Sequence, residues 1–144
     1  IFSDHFLKET EIKVRFFDGQ TISFKPNSVS LDELLINSDY ITLHVPAQKE
    51  YLLNKKEFSK MKDGVGIVNA ARGGVINEES LIDFIDSGKI KFAGLDTFEN
   101  EPNPSIKTLM NSKISLSPHI GAATNEAQER IGLELADQII SLIS

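Results

Sequence analysis

The chain has 144 residues, of which 40% are hydrophobic and 25% are charged, and it contains no cysteine. This size and composition are typical of one globular domain with its own core, and the lack of cysteine excludes disulfides, thiolate metal sites and a thiol nucleophile. The net charge of −6 argues against nucleic acid or an anionic membrane as a partner, because both bind basic faces. With no apolar run of about 18 residues and no signal-peptide pattern, we expect a cytoplasmic protein.

The first 25 residues predict a strand end followed by a β-hairpin. The chain opens without a methionine on Ile1–Asp4, which has the pattern of a strand end, so we expect further sequence upstream. Glu11–Lys25 alternates between apolar and polar residues around Asp-Gly, a hairpin signal. A two-residue loop would place apolar side chains opposite polar ones. A three-residue loop, Asp18–Gln20, sets Val14 opposite Phe24 and keeps the apolar side chains on one face, so we prefer it.

Helix caps and short apolar runs predict alternating helices and strands through the rest of the chain. Helix starts are indicated by a serine or asparagine N-cap. The predicted elements are a helix from Ser30 to about Asn37, the strand Tyr40–Leu43, a helix from Asn54 to about Met61, the strand Gly64–Val68, the helix Glu78–Ser87 ended by Gly88, the strands Phe92–Leu95 and Ile114–Leu116, and a helix from about Asn125 to Ile143. We expect Tyr40–Leu43 to be a buried strand. The alternation indicates an α/β fold with a parallel sheet and helices on both faces.

Ligands of such sheets bind where the strands end at their carboxyl side. The predicted strand ends carry Asp4, His44-Val45-Pro46, Ala70-Ala71-Arg72, Asp96 and His119.

Three types of side chain at these ends could carry chemistry. Arg72 precedes Gly73-Gly74, where a sharp turn lets a ligand approach, and its guanidinium could hold a carboxylate; it could equally be a surface arginine beside a turn. Asp96 and Glu101 flank an acidic loop that, taken alone, is more simply explained as solvated surface. His119 lies at a strand end, after Ser117-Pro118, and a histidine beside a carboxylate can serve as a general acid near neutral pH. Three scattered histidines without cysteine do not favour a metal site.

Three ordered blocks cover most of residues 38–136. They are Ser38–Pro46 (SDYITLHVP), Val68–Pro102 (VNAARGGVINEESLIDFIDSGKIKFAGLDTFENEP) and Ser117–Thr124 (SPHIGAAT), and Ala127–Ala136 continues the last of them. Together they resemble the D-isomer-specific 2-hydroxyacid dehydrogenase family, and especially its 3-phosphoglycerate dehydrogenase branch. The resemblance implies a Rossmann-like sheet, incomplete at its N-terminal side because no G-x-G-x-x-G follows a predicted strand.

The resemblance also implies roles for individual residues. The family's catalytic arginine, glutamate and histidine fall on Arg72, Glu101 and His119: Arg72 would bind substrate, His119 would act as acid and base, and Glu101 would be its partner. The expected contacts to NAD are Asp4 at the adenosine ribose, and His44, Val45, Pro46, Ala70, Ala71, Arg72, Asp96, His119, Gly121 and Ala122.

By the same resemblance, we expect an NAD-dependent oxidoreductase that acts on a D-2-hydroxy acid, D-3-phosphoglycerate in serine biosynthesis, as a homodimer. Residues 1–124 would be part of the NAD-binding domain, and residues 125–144 a helix leading back towards a substrate domain. Without a pyrophosphate loop, the 144 residues alone should bind NAD weakly and turn over nothing. Two alternatives stay open: an NAD(H)-responsive corepressor-like protein, and a non-catalytic fragment.

Overall fold

The structure, a computed structural model, describes residues 11–143. Its elements are β1 (Ile12–Arg15), β2 (Thr21–Phe24), α1 (Leu31–Asn37), β3 (Tyr40–Leu43), α2 (Lys55–Lys60), β4 (Val65–Asn69), α3 (Glu78–Asp86), β5 (Ile90–Leu95), α4 (Ile106–Met110), β6 (Ile114–Leu116) and α5 (Asn125–Ile143). Strands β3, β4, β5 and β6 form a parallel sheet in that order, and β1 pairs with β2 in a separate antiparallel hairpin. The prediction of a parallel α/β sheet flanked by helices is confirmed.

The core lies against one face of the parallel sheet. Ile41, Ile67, Ala93 and Ile114 stand side by side across the four strands and are all buried. Helices α1, α2 and α3 add buried side chains to the same cluster, because crossovers of one hand that step steadily along a sheet all lie on one face. Helices on the opposite face stay a prediction.

The bounds of β3 agree with the prediction, but its burial does not. Tyr40 is 76% exposed, whereas the neighbouring Ile41 is 6% exposed. Successive side chains of a strand point to opposite faces, and β3 is the edge strand of the described sheet. Only one face of β3 is therefore buried among the described residues, although most of its residues are apolar.

The hairpin loop has the predicted length but not the predicted position. Val14 pairs with Ile22 rather than Phe24, and the loop is Phe17–Gly19 rather than Asp18–Gln20. Gly19 has φ +84°, and a three-residue loop needs its third residue in the left-handed region. Glycine adopts that conformation without the cost that a side chain adds, so Gly19 sets the register. The predicted loop would have put Gln20 there.

The three predicted N-caps are confirmed, and one helix was missed. Ser30 Oγ, Asn54 Oδ1 and Asn77 Oδ1 each accept a backbone N–H of the helix that follows, and Asn54 and Glu57 form a complete capping box. The five-residue α4 has no side-chain cap bond, so it lacks the signal that revealed the others. It lies between the predicted strands Phe92–Leu95 and Ile114–Leu116, where no helix was predicted.

The C-terminal helix α5 has the predicted bounds. Its residues Ile131, Leu135, Ile139 and Leu142 are at least half exposed, and Ala127 is the residue of this helix that is buried. None of the helices in residues 11–143 is both long and apolar enough to span a membrane. The division into a cofactor domain up to residue 124 and a linking helix stays a prediction.

Candidate active site

Four parallel strands end at one edge of the sheet, and the segments that follow them carry the predicted site. His44–Pro46 follow β3, Ala70–Arg72 follow β4, Asp96 follows β5, and Ser117–His119 follow β6. Residues far apart in sequence therefore meet here, because parallel strands place their carboxyl ends together. Asp4 lies outside the described residues.

The turn that carries Arg72 is shaped by a buried asparagine at the end of β4. Asn69 is 2% exposed; its Oδ1 accepts the Ala71 N–H at 3.1 Å, and its Nδ2 donates to the Arg72 carbonyl at 3.0 Å. The Arg72 side chain is exposed, and its Nη1 donates to the Ala71 carbonyl at 2.6 Å. Asn69 thus holds the backbone at the Ala71 N–H and at the Arg72 carbonyl, while the guanidinium stays at the surface.

Glu101 and His119 form a direct pair. His119 Nδ1 lies 2.8 Å from Glu101 Oε2, and Glu101 Oε1 accepts the Phe98 N–H at 2.9 Å. The hydrogen bond with His119, followed by that from Phe98, lowers the pKa of Glu101 below its ordinary value. His119 has φ +55°, which is uncommon for a residue with a side chain and concentrates at functional sites. The acidic loop therefore contains a carboxylate that orients a histidine.

Asp96 clamps the loop on which His119 lies. Its Oδ1 accepts from Ser117 Oγ at 2.6 Å and the Ile120 N–H at 3.0 Å, and its Oδ2 accepts the Gly121 N–H at 2.8 Å. Burial alone would raise the pKa of Asp96, but these hydrogen bonds together bring it below its ordinary value. Asp96 was expected to contact the cofactor. The structure shows that it holds the segment on both sides of His119, and the cofactor contact stays a prediction.

A second carboxylate pair was missed by the sequence reasoning. Glu78, at the start of α3, is 6% exposed. Its Oε1 accepts the Glu99 N–H at 2.7 Å, its Oε2 accepts Thr108 Oγ1 at 2.9 Å, and its own N–H donates to Glu99 Oε1 at 2.7 Å. Burial raises the pKa of Glu78 despite these hydrogen bonds. Glu78 had been taken only as part of a capped helix, and no local pattern reports a bond across 21 residues.

The segment after β3 lies apart from the Glu101–His119 pair. His44 is exposed, and its Nε2 lies 3.0 Å from Thr42 Oγ1 within its own strand segment. Val45 is half-buried and, with His44, lines one end of a cavity of about 420 Å³ between α1 and β3. Pro46 is exposed. The structure brings together Asp96, Glu101, His119 and Gly121; no described bond adds His44–Pro46 to that group.

Comparison with known proteins identifies the family. Residues 5–121 match the model of the NAD binding domain of the D-isomer specific 2-hydroxyacid dehydrogenases. The chain belongs to this family. A hydroxypyruvate reductase of Thermotoga maritima is 48% identical over 116 residues, which are 77% of this chain and 38% of the relative. A D-3-phosphoglycerate dehydrogenase of Archaeoglobus fulgidus is 45% identical over 117 residues, 79% of this chain and 22% of the relative.

Solved structures of similar sequence have the same fold as this chain. A glyoxylate reductase from Paecilomyes thermophila superposes with a TM-score of 0.70 at 40% identity, covering 83% of this chain and 37% of that one. The chain thus spans less than two fifths of the length of each of these relatives. Residues 5–121, which match the family, contain the parallel sheet, the strand-end segments and the Glu101–His119 pair.

NAD is the cofactor of this family, and the residues present fit its nicotinamide half. Ala70, Gly121 and Ala122 are exposed at the strand ends, and such small residues let a flat ring approach the backbone. The carboxylates of Asp96 and Glu101 are engaged by the loop and by His119, and no ion pair between described residues involves Arg72. The sequence contains no G-x-G-x-x-G, so the pyrophosphate grip is not supplied by these residues.

Proposed function

We propose that this chain carries the acid–base side of the active site of an NAD-dependent oxidoreductase that interconverts a D-2-hydroxy acid and its 2-keto acid. The observation that carries the proposal is the 2.8 Å pair of His119 Nδ1 and Glu101 Oε2 at the carboxyl edge of a parallel sheet. Membership of the dehydrogenase family supports the reaction class.

His119 acts as the general acid in reduction and the general base in oxidation. When the Nδ1–H donates a hydrogen bond to the Glu101 carboxylate, the proton that the imidazolium can transfer to substrate is the one on Nε2. His119 delivers that proton to the oxygen that develops at C2 of the substrate, and takes it back in the reverse reaction. The Glu101 carboxylate keeps the ring orientation and stabilises its protonated form, as carboxylates do beside other catalytic histidines.

Arg72 binds the substrate. Its guanidinium is exposed at the end of β4, where a carboxylate can replace the bond to the Ala71 carbonyl with a bidentate pair. NAD, when bound, supplies or accepts the hydride at C2. General acid–base assistance of this kind contributes roughly 10²–10⁴ to a rate.

For the substrate, we propose D-3-phosphoglycerate, which is oxidised to 3-phosphohydroxypyruvate, a reaction that feeds serine biosynthesis. The support is the 45% identity to the Archaeoglobus enzyme that is named for it. A second candidate is hydroxypyruvate, favoured by the 48% identical Thermotoga reductase. The two keto acids share a carbon skeleton and differ by one phosphate. A homodimer in the cytoplasm stays a prediction of the sequence resemblance.

The test uses the full-length protein that contains this chain. Loss of NADH absorbance is followed with 3-phosphohydroxypyruvate, hydroxypyruvate, glyoxylate and pyruvate, and the highest kcat/KM is expected for 3-phosphohydroxypyruvate. A preference for hydroxypyruvate would select the second candidate. NADH binding without turnover of any 2-keto acid would contradict the proposal and favour the corepressor-like alternative.

The acid–base role has its own variant. His119→Ala should lower kcat at least tenfold, within the range expected for a lost general acid. His119→Gln should lose as much, because an amide keeps a hydrogen-bonding group but cannot carry the proton. A decrease in kcat of less than tenfold in either variant would exclude His119 as the general acid.

A further inference from the structure

Glu78 connects the start of α3 to the loop that follows β5. Its carboxylate accepts the Glu99 N–H at 2.7 Å, while its own N–H donates to the Glu99 carboxylate at 2.7 Å. The second carboxylate oxygen accepts Thr108 Oγ1 from α4 at 2.9 Å. The helix, the loop and α4 are therefore joined through one side chain that is 6% exposed.

Glu99 is two residues from Glu101. The Phe98 N–H, just before Glu99, holds Glu101 Oε1 at 2.9 Å, and Glu101 Oε2 meets His119 Nδ1 at 2.8 Å. The backbone from Phe98 to Glu101 is thus hydrogen-bonded to Glu78 through the Glu99 N–H, and it carries the Glu101 side chain that contacts His119. A shift of this stretch would change the geometry of the acid–base pair without changing any residue in it.

Helix capping alone does not account for the Glu78 carboxylate. Asn77 already caps α3, since its Oδ1 accepts the Ser80 N–H at 2.7 Å. The two oxygens of Glu78 accept from another loop and another helix, and burial raises the pKa of this carboxyl group. Burying a carboxylate costs free energy unless the group is hydrogen-bonded. The bonds from the Glu99 N–H and Thr108 Oγ1 offset this cost for Glu78, so its burial depends on the positions of the loop and of α4.

We propose that Glu78 is a positioning residue, whose hydrogen bonds to Glu99 and Thr108 hold the loop at the place where Glu101 orients His119. The inference rests on the proposed function, because it assigns Glu78 a role in the acid–base step. It predicts that loss of these hydrogen bonds lowers kcat through His119, although Glu78 touches neither His119 nor the substrate-binding Arg72.

The kinetic test compares Glu78→Ala, Glu78→Gln and the control Glu79→Gln in the full-length protein. Glu79 is exposed on the same first turn of α3. Glu78→Ala should lower kcat by roughly 100-fold, the order expected for a misplacement of about 1 Å, with KM for NADH within about twofold of wild type.

Glu78→Gln should keep kcat within about threefold of wild type, because its amide oxygen accepts the Glu99 N–H and its amide nitrogen donates to Thr108 Oγ1. Glu79→Gln should have the wild-type kcat. A kcat of Glu78→Ala within threefold of wild type would overturn the proposal, as would an equal loss in Glu78→Gln.

A spectroscopic test is independent of turnover. Long-range proton–nitrogen NMR of the imidazoles, with His119 assigned from the His119→Gln variant, reports the hydrogen bond at Nδ1. Glu78→Ala should change the His119 ring signals, and Glu79→Gln should not. Should Glu78→Ala fail to fold, Thr108→Val removes one donor to Glu78 with nearly the same shape, and the same change in the His119 signals is expected.

The two proposals fail in different ways. A wild-type protein that turns over no 2-keto acid would refute the proposed function and leave the NMR comparison to decide on Glu78. Unchanged His119 signals in a folded Glu78→Ala or Thr108→Val variant would refute the positioning role, whatever the activity of the wild type.

Discussion

The contact between Gly73 and the loop after β5 offers the most direct test of how the site is assembled. Gly73 follows Arg72, and a Cβ atom added to it would lie 1.8 Å from the Phe98 carbonyl oxygen and 2.6 Å from its carbonyl carbon. These are backbone atoms, which cannot rotate away. Gly73 does not have a positive φ, so Gly73→Ala acts through this collision and not through backbone conformation.

The size of the displacement follows from the same geometry. Real Cβ atoms essentially never come within 3.0 Å of such atoms, so the two backbones must separate by at least 3.0 − 1.8 = 1.2 Å. Phe98 donates to Glu101, which contacts His119, so the separation moves Arg72 and the acid–base pair apart. A misplacement of about 1 Å can cost roughly 100-fold in rate, which is about 2.7 kcal/mol in the activation free energy. Overpacking should also lower the free energy of unfolding by about 1–3 kcal/mol.

The assay measures kcat of the full-length protein with 3-phosphohydroxypyruvate and NADH, and the denaturation midpoint in urea. Gly132→Ala in α5 is the matched control, because its Cβ would meet no atom of the described residues within 4 Å and alanine favours a helix; it should leave kcat unchanged. Gly74→Ala is a second comparison, since it has φ +76° and open space around its Cβ, so it should cost stability more than rate. A kcat of Gly73→Ala within threefold of wild type would show that this contact does not set the position of the acid–base pair.

Two further predictions concern the carboxylates that hold His119. Glu101→Gln should lower kcat at least tenfold, because an amide cannot accept from both the Phe98 N–H and the His119 Nδ1–H; kinetics at neutral pH test this, and near-wild-type turnover would contradict the assigned partner. Asp96→Asn should lower the free energy of unfolding by about 1–3 kcal/mol, because its amide nitrogen cannot accept the N–H donors around His119. Since the pKa of Asp96 is lowered in the folded protein, the ionised carboxylate adds stability above its ordinary pKa and loses it as the pH falls through the folded value. Urea denaturation of the two proteins should therefore converge below about pH 4, and a difference that is constant with pH would contradict this account.

Local signals in the sequence were sufficient to predict the capped helices and the parallel strands, but not α4. Asn54 and Glu57 predicted a capping box because a cap involves residues three apart, and both of its bonds are present. The positions of the parallel strands followed from short apolar runs for a similar reason. Where a local requirement was overlooked, the prediction was wrong: the need for Gly19 at the left-handed position of the loop decided the hairpin register against Asp18–Gln20.

The sequence predicted the residues of the candidate site better than the hydrogen bonds between them. Arg72, Glu101 and His119 were singled out by strand ends and by the family resemblance, and the structure pairs the last two. The clamp by Asp96 and the bonds of Glu78 were not anticipated, since each joins segments about 21 to 30 residues apart. Such distances carry no periodicity that a sequence pattern could reveal.

Sequence patterns predicted the class of fold, the capped helices, the parallel strands and the residue types at the strand ends, because caps and apolar spacing act over a few residues; they did not predict α4, which has no side-chain cap bond. The contacts between these side chains depend on the packing of distant segments, which no local pattern contains. Whether Glu99-Asn100-Glu101 is solvated surface or support for a histidine depends on where β6 places His119, and on how closely Gly73 lets the neighbouring loop approach. Burial raises the pKa of Glu78, whereas hydrogen bonds lower the pKa of Asp96 and of Glu101. Burial and these hydrogen bonds depend on how distant segments of the chain pack together.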